Sequence, residues 1–169
     1  MLTTKELIVA IPAFVGMALG IYNFVRDILK SRVNLQVIPQ SVTAFGKDQE
    51  NTVYKYSPYS FDPKEMSEYV AIEVVNKGAV PVTIDSVGFL AKGEQKPLVI
   101  YKPRPVDGGI WPRRLESREA VTVLGNLPAV LKSEKSKNIT AAYAKTHCGA
   151  IRKGSSKALT AIIEFAKNA

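Results

Sequence analysis

Three groups of residues in this chain are of types that do chemistry. The first is His147 beside Cys148, the one histidine and the one cysteine of the sequence. A thiol nucleophile needs an imidazole within reach and a third group to orient it. Neighbours in an extended segment project to opposite faces, so the pair reads as a turn histidine beside an unactivated thiol. A metal site needs three or four ligands, and no other Cys or His is present to supply them. No metal and no cofactor is expected. The second group is the carboxylates, among them Asp62, Glu65, Glu73, Asp85, Asp107, Glu116 and Glu119. Two carboxyl groups that meet in space can run a hydrolysis, but no spacing here forecasts such a meeting. A hydrolase of that kind is the weakest functional reading. The sequence has no GxxxxGK[ST], GxGxxG or GxSxG, the motifs of phosphate loops, dinucleotide sites and nucleophile elbows. The expectation is a protein that is not an enzyme.

The third group is basic. Arg113, Arg114, Arg118, Lys132, Lys135, Lys137, Lys145, Arg152, Lys153 and Lys157 thicken toward the C-terminal half. On one face they would suit anionic lipid or an acidic protein. Nucleic acid would call for stacking aromatics among them, and Tyr143 alone lies in that stretch, so nucleic acid is not expected. The whole chain carries +8; residues 33–169 hold 19 basic and 13 acidic residues, a net +6. Trp111, with Arg113 and Arg114 close behind it, is the candidate contact for a protein partner, since Trp and Arg anchor interfaces. A loop tryptophan more often packs over the end of a sandwich, and that is the structural reading of Trp111.

These residues must be positioned by two units, 1–32 and 33–169. In the first, Leu7–Val25 runs 19 residues without a charge. As a helix it would reach ~28 Å, near the thickness of bilayer hydrocarbon, and its apolar residues go all round. The expectation is a single-pass transmembrane helix, with Pro12 in its second turn and Tyr22 and Asn23 at headgroup level. A cleaved signal peptide, ending near Ala18-Leu19-Gly20, and a buried core helix are the alternatives. Gly16 and Gly20 form a GxxxG, a candidate face for a homodimer through the membrane helix. Arg26, Lys30 and Arg32 are candidate lipid-headgroup contacts. By the positive-inside rule they lean the following domain toward the cytoplasm, as does the lone cysteine.

From Val33 the period changes to two. Val33–Pro39 alternates as a strand. Residues 46–68 read as a long polar connection with a short strand near Val53–Tyr56. Tyr69–Val75 and Val80–Phe89 are β-rich runs flanking the turn Asn76-Lys77-Gly78, where glycine accepts a positive φ. Further strands are expected over Lys96–Lys102, Ala120–Leu124, Ile139–Ala144 and Ala150–Lys153, with a turn at His147-Cys148-Gly149. Leu127–Ser133 reads as a short helix. Ser156–Lys167 reads as a better one, capped by Ser155 or Ser156, with Leu159, Ile162, Ile163 and Ala166 on one face. About seven short strands at this spacing predict an antiparallel β-sandwich with a short C-terminal helix; a barrel is the alternative.

The run VAIEVVNKGAVPVTIDSVGF, followed by WPRRLESREAVTVL, resembles the strand-turn-strand pattern of immunoglobulin-like β-sandwich modules and is similar to small bacterial membrane-anchored proteins without an assigned function. The likeness covers residues 69–125. It departs from the family in having no cysteine pair and in placing Trp111 in a loop. It implies a fold and a tethered adhesive role and carries over no functional residue. The expected function is a membrane-anchored, non-enzymatic adaptor that binds a protein partner through its sandwich. The alternative is a secreted or envelope module that binds a ligand such as carbohydrate.

Overall fold

The computed structural model describes residues 4–45, 53–94, 96–132 and 138–168, with side chains at all of these except 4–11, 29, 30 and 66. The chain opens with helix α1, Thr4–Ser31. Among the described residues ten strands follow, interrupted and closed by two helices. In order they are β1 (Leu35–Phe45), β2 (Val53–Ser57), β3 (Met66–Asn76), β4 (Val82–Ala91), β5 (Leu98–Val99), β6 (Arg104–Pro105), β7 (Arg113–Leu115), β8 (Ala120–Asn126), helix α2 (Leu127–Leu131), β9 (Ile139–Thr146), β10 (Ile151–Gly154) and helix α3 (Lys157–Asn168).

The expected transmembrane helix is corrected by the structure: among the described residues, no helix is long and apolar enough to cross a membrane. The uncharged part of α1 with described side chains runs from Pro12 to Val25, 14 residues. Leu7–Ile11, the first part of the expected span, and Lys30 have side chains outside the described residues. What the structure shows is a long helix whose side chains from Pro12 to Ile28 are all exposed, Phe14, Leu19, Ile21 and Phe24 among them.

The mainly β expectation holds. The strands form two antiparallel sheets, in the orders β2-β1-β3-β8-β6 and β10-β9-β4-β5, with β7 also on β4. Alternation explains which side chains meet between them. Val70, Ile72 and Val74 of β3 and Val121 and Val123 of β8 face inward from one sheet; Ile84, Val87 and Phe89 of β4 and Ala142 and Ala144 of β9 come from the other. Helix α3 adds Leu159, Ile162 and Ile163 to the same core, the face expected from its 3.6-residue period. Ser156 caps it, its Oγ accepting from the Leu159 N–H at 3.1 Å. Phe165 packs on Phe61, ring centroids 5.7 Å apart, and so ties α3 to the connection after β2.

The strand expected over Lys96–Lys102 shrinks to two residues, Leu98–Val99, paired with Gly88 and Phe89. A Cβ at Gly88 would overlap the Leu98 carbonyl oxygen, so the pairing depends on that glycine. The segment after it, read as loop, contains the short strands β6 and β7.

The Asn76–Gly78 turn does not close a hairpin. Strand β3 lies in one sheet and β4 in the other, so the turn carries the chain across the sandwich. Gly78 does not take a positive φ; a Cβ there would be crowded, 3.1 Å from Asn76 Oδ1 and 3.3 Å from the Arg32 carbonyl. Asn76 itself is fully buried. Its Nδ2 donates to the carbonyls of Val80 at 2.8 Å and Glu116 at 3.0 Å, with Leu115 O at 3.3 Å. Its Oδ1 accepts from Gly78 N–H at 2.9 Å. Its own N–H donates to Glu119 O, and its carbonyl accepts from Arg118 N–H, both at 2.8 Å. Asn76→Ala leaves several of these buried groups without a partner, each costing ~1–3 kcal/mol. The expected loss of stability is about 3 kcal/mol, read as a lower denaturant midpoint at unchanged slope. A loss under about 1 kcal/mol would show that the amide does not tie the sheets.

Candidate functional site

The Cys148 thiol is exposed, and its contact is the Thr146 hydroxyl at 3.1 Å. His147 is exposed and fixed through its backbone, the N–H donating to Thr83 O at 2.9 Å. The Thr146 hydroxyl, followed by the Ala150 backbone, holds the Cys148 thiol below its ordinary pKa. Thr146 is itself buried and bonded to Ala150, whose N–H it accepts at 3.0 Å. Among the described residues, no group of three His, Cys, Asp or Glu could hold a metal ion.

Five of the carboxylates, Asp62, Glu73, Asp107, Glu116 and Glu119, are engaged with neighbours. Asp107 and Glu119 both meet Arg113, at 3.0 and 3.6 Å, so the guanidinium occupies the space between them. Glu116 pairs with Arg114 at 2.9 Å. Glu73 accepts from Gln40 Nε2 at 2.8 Å. Asp62 accepts from the Lys64 N–H at 2.9 Å.

The expected partner contacts are held in the fold in the same way. Trp111 packs against the core and its indole N–H donates to Asp85 O at 3.0 Å. Arg113 is partly buried between its two carboxylates, and Arg114 is exposed beside Glu116. Gly16 and Gly20 lie on the exposed helix α1, where an added Cβ would meet nothing within 4 Å. Arg26 and Arg32 are exposed as well.

A concavity lies elsewhere, at the corner where the two sheets close. There β1 of one sheet runs beside β10 of the other, and Gly154 makes the approach feasible: a Cβ on it would overlap the Val37 carbonyl oxygen. Arg152 reinforces the corner, donating to Val33 O at 2.8 Å. Beside this seam is an open groove of about 670 Å³, lined by residues 35–38 of β1, Pro58 and Tyr59 after β2, Lys77 after β3, and residues 153–157 leading into α3. That volume lies in the range of ordinary ligand sites. Its lining is largely apolar, with Ile38 and Pro58 beside the core residues Leu35 and Val37, and it also holds Tyr59, 78% exposed, and the exposed Lys77, Lys153 and Lys157.

Local structure fixes these walls. The buried Ser41 hydroxyl lies 3.1 Å from Ser57 O and 2.6 Å from Ser60 O, gathering the loop that projects Tyr59. The Ala158 N–H donates to Pro58 O at 3.1 Å, joining that loop to the start of α3. The Lys77 N–H donates to Asn34 O at 2.8 Å, setting Lys77 beside the start of β1. No Asp or Glu lines the groove, and among the described residues none of its three lysines forms an ion pair.

None of these lining residues was singled out as a site from sequence apart from Lys153 and Lys157, which belonged to a general basic stretch. The groove joins four segments distant in the chain, and the closest signal was the run Lys153-Gly154-Ser155-Ser156-Lys157, legible only as a helix start. No protein-family model matches the chain, and neither a curated protein nor a solved structure shows significant similarity to it.

The Thr146 contact makes a test of the thiol. Loss of its hydroxyl removes the first cause of the depressed pKa. In Thr146→Val the pH midpoint of Cys148 alkylation by a maleimide moves up, and the rate near neutral pH falls, because the thiolate is the reacting form. An unchanged midpoint in a folded variant would show that the hydroxyl does not set the reactivity.

Proposed function

We propose that this protein is a non-enzymatic interaction module that holds a protein partner in the groove beside β1. The observation that carries this reading is the groove itself: an open, largely apolar channel of about 670 Å³ whose lysines are unneutralised by the described residues of the chain. Apolar surface supplies burial energy and polar groups supply orientation, the division found in protein interfaces. The engagement of Asp107, Glu119, Glu116 and Glu73 with neighbours supports the non-enzymatic part of the reading. It is also the kind of adhesive role that an immunoglobulin-like module implies.

The test is site-specific photo-crosslinking. A photoreactive side chain at Gln36, exposed in the groove, is compared with one at Glu164, exposed on α3 and outside the lining. The expected result is one protein adduct at Gln36, re-formed from purified components, with none at Glu164. Ile38→Asp, which puts a charge in the apolar lining, should weaken that complex at least about tenfold, ~1.4 kcal/mol. Adducts that ignore position, or a catalytic turnover that Ile38→Asp abolishes, would overturn the reading.

A further inference from the structure

We infer that the partner segment seated in this groove is an extended acidic peptide, with an apolar side chain flanked by carboxylates. This rests on the reading of the groove as a protein-binding site. The lining contains three lysines and no acid. All three lysines are exposed, and among the described residues none meets a carboxylate. Other exposed cations of the domain, Lys55, Lys92 and Lys145 among them, also meet no carboxylate among the described residues. What sets the groove apart is that three such lysines and no acid line one largely apolar concavity.

The three cations reach the lining from two separate parts of the chain: Lys77 follows β3, and Lys153 and Lys157 come from the end of β10 and the start of α3. The same lining holds Leu35, Val37, Ile38 and Pro58. A ligand that used only charge would have no use for those apolar residues, so a small inorganic anion fits the groove poorly. Nucleic acid would meet a single aromatic, Tyr59, where successive bases call for several stacking platforms. A peptide answers both halves: one aliphatic or aromatic side chain covers the apolar lining, and carboxylates beside it reach the lysines. Like-charge repulsion disfavours basic segments at the same place, which gives selectivity as well as attraction.

The experiment uses the full chain and a fluorescent peptide set read by anisotropy. Each acidic peptide has Leu, Ile or Phe at the centre and Asp or Glu around it. Its counterparts replace the acids by Asn and Gln, or the central residue by Gly; a single-stranded RNA is the fourth probe. The expected result is binding of acidic peptides with an apolar centre, about tenfold or more weaker binding of the amide and Gly counterparts, and weakening as salt rises. Lys77→Glu, Lys153→Glu and Lys157→Glu should each reduce the acidic peptide's affinity severalfold, and Lys92→Glu, an exposed site outside the lining, should not. Failure of every acidic peptide to bind, equal binding of the amide forms, an equal loss in Lys92→Glu, or tighter binding of RNA would each overturn the inference. A Gln36 adduct whose partner segment carries no acids would sink the inference and leave the protein-binding reading standing. Absence of any Gln36 adduct would sink both.

Discussion

A buried amide ties the two sheets together where the chain crosses between them. Asn76 ends β3 in one sheet, and its side chain reaches the carbonyls of Val80, Glu116 and Leu115, which belong to the approach to the other sheet and to β7 and the turn after it. An amide offers two donors and an acceptor at one position, and every one of them is used. A buried polar group costs free energy unless it is satisfied and then favours one arrangement over its competitors. Apolar packing between the sheets is not directional, whereas Asn76 cannot be displaced without stranding carbonyls in the core.

That constraint extends to the groove. Lys77 follows Asn76 directly and is bonded through its backbone to Asn34, so the crossing that locks the sheets also places one of the groove's cations beside β1. At the other wall, Gly154 lets β10 close on Val37, and Ser41 and Pro58 fasten the loop that carries Tyr59 to the start of α3. The groove is therefore a consequence of how the sandwich is closed. Its walls belong to strands, a helix start and bonded turns, so a ligand meets a shape already formed, which lowers the ordering cost of binding.

Much of the fold was legible because period and turn chemistry are local. Alternation in residues 69–75 and 82–89 located β3 and β4, and the i, i+3, i+4 spacing of Leu159, Ile162 and Ile163 located the buried face of α3. The partner of a strand is not local. Nothing near Asn76 distinguishes a hairpin turn from a crossing between sheets, and the deciding contacts, Leu115 and Glu116, lie about forty residues on. The same limit hid the groove. Its lining comes from four separated segments, and charge alone pointed to Arg113 and Arg114, which the fold answers with nearby carboxylates. The apolar run at the N-terminus was readable as a helix; its reading as a bilayer span did not hold for the described residues.

The most direct test of this account is native-state hydrogen exchange of the full chain, comparing Asn76→Ala with the unaltered protein. Exchange reports the opening free energy of each element separately. If Asn76 couples the sheets, amides of β3 in one sheet and of β4 and β9 in the other lose protection together and by the same amount. Loss confined to the turn after Asn76 and to residues 115–119, with β4 and β9 unchanged, would contradict it: the sheets would then be held by apolar packing alone, and the amide would be a local turn device.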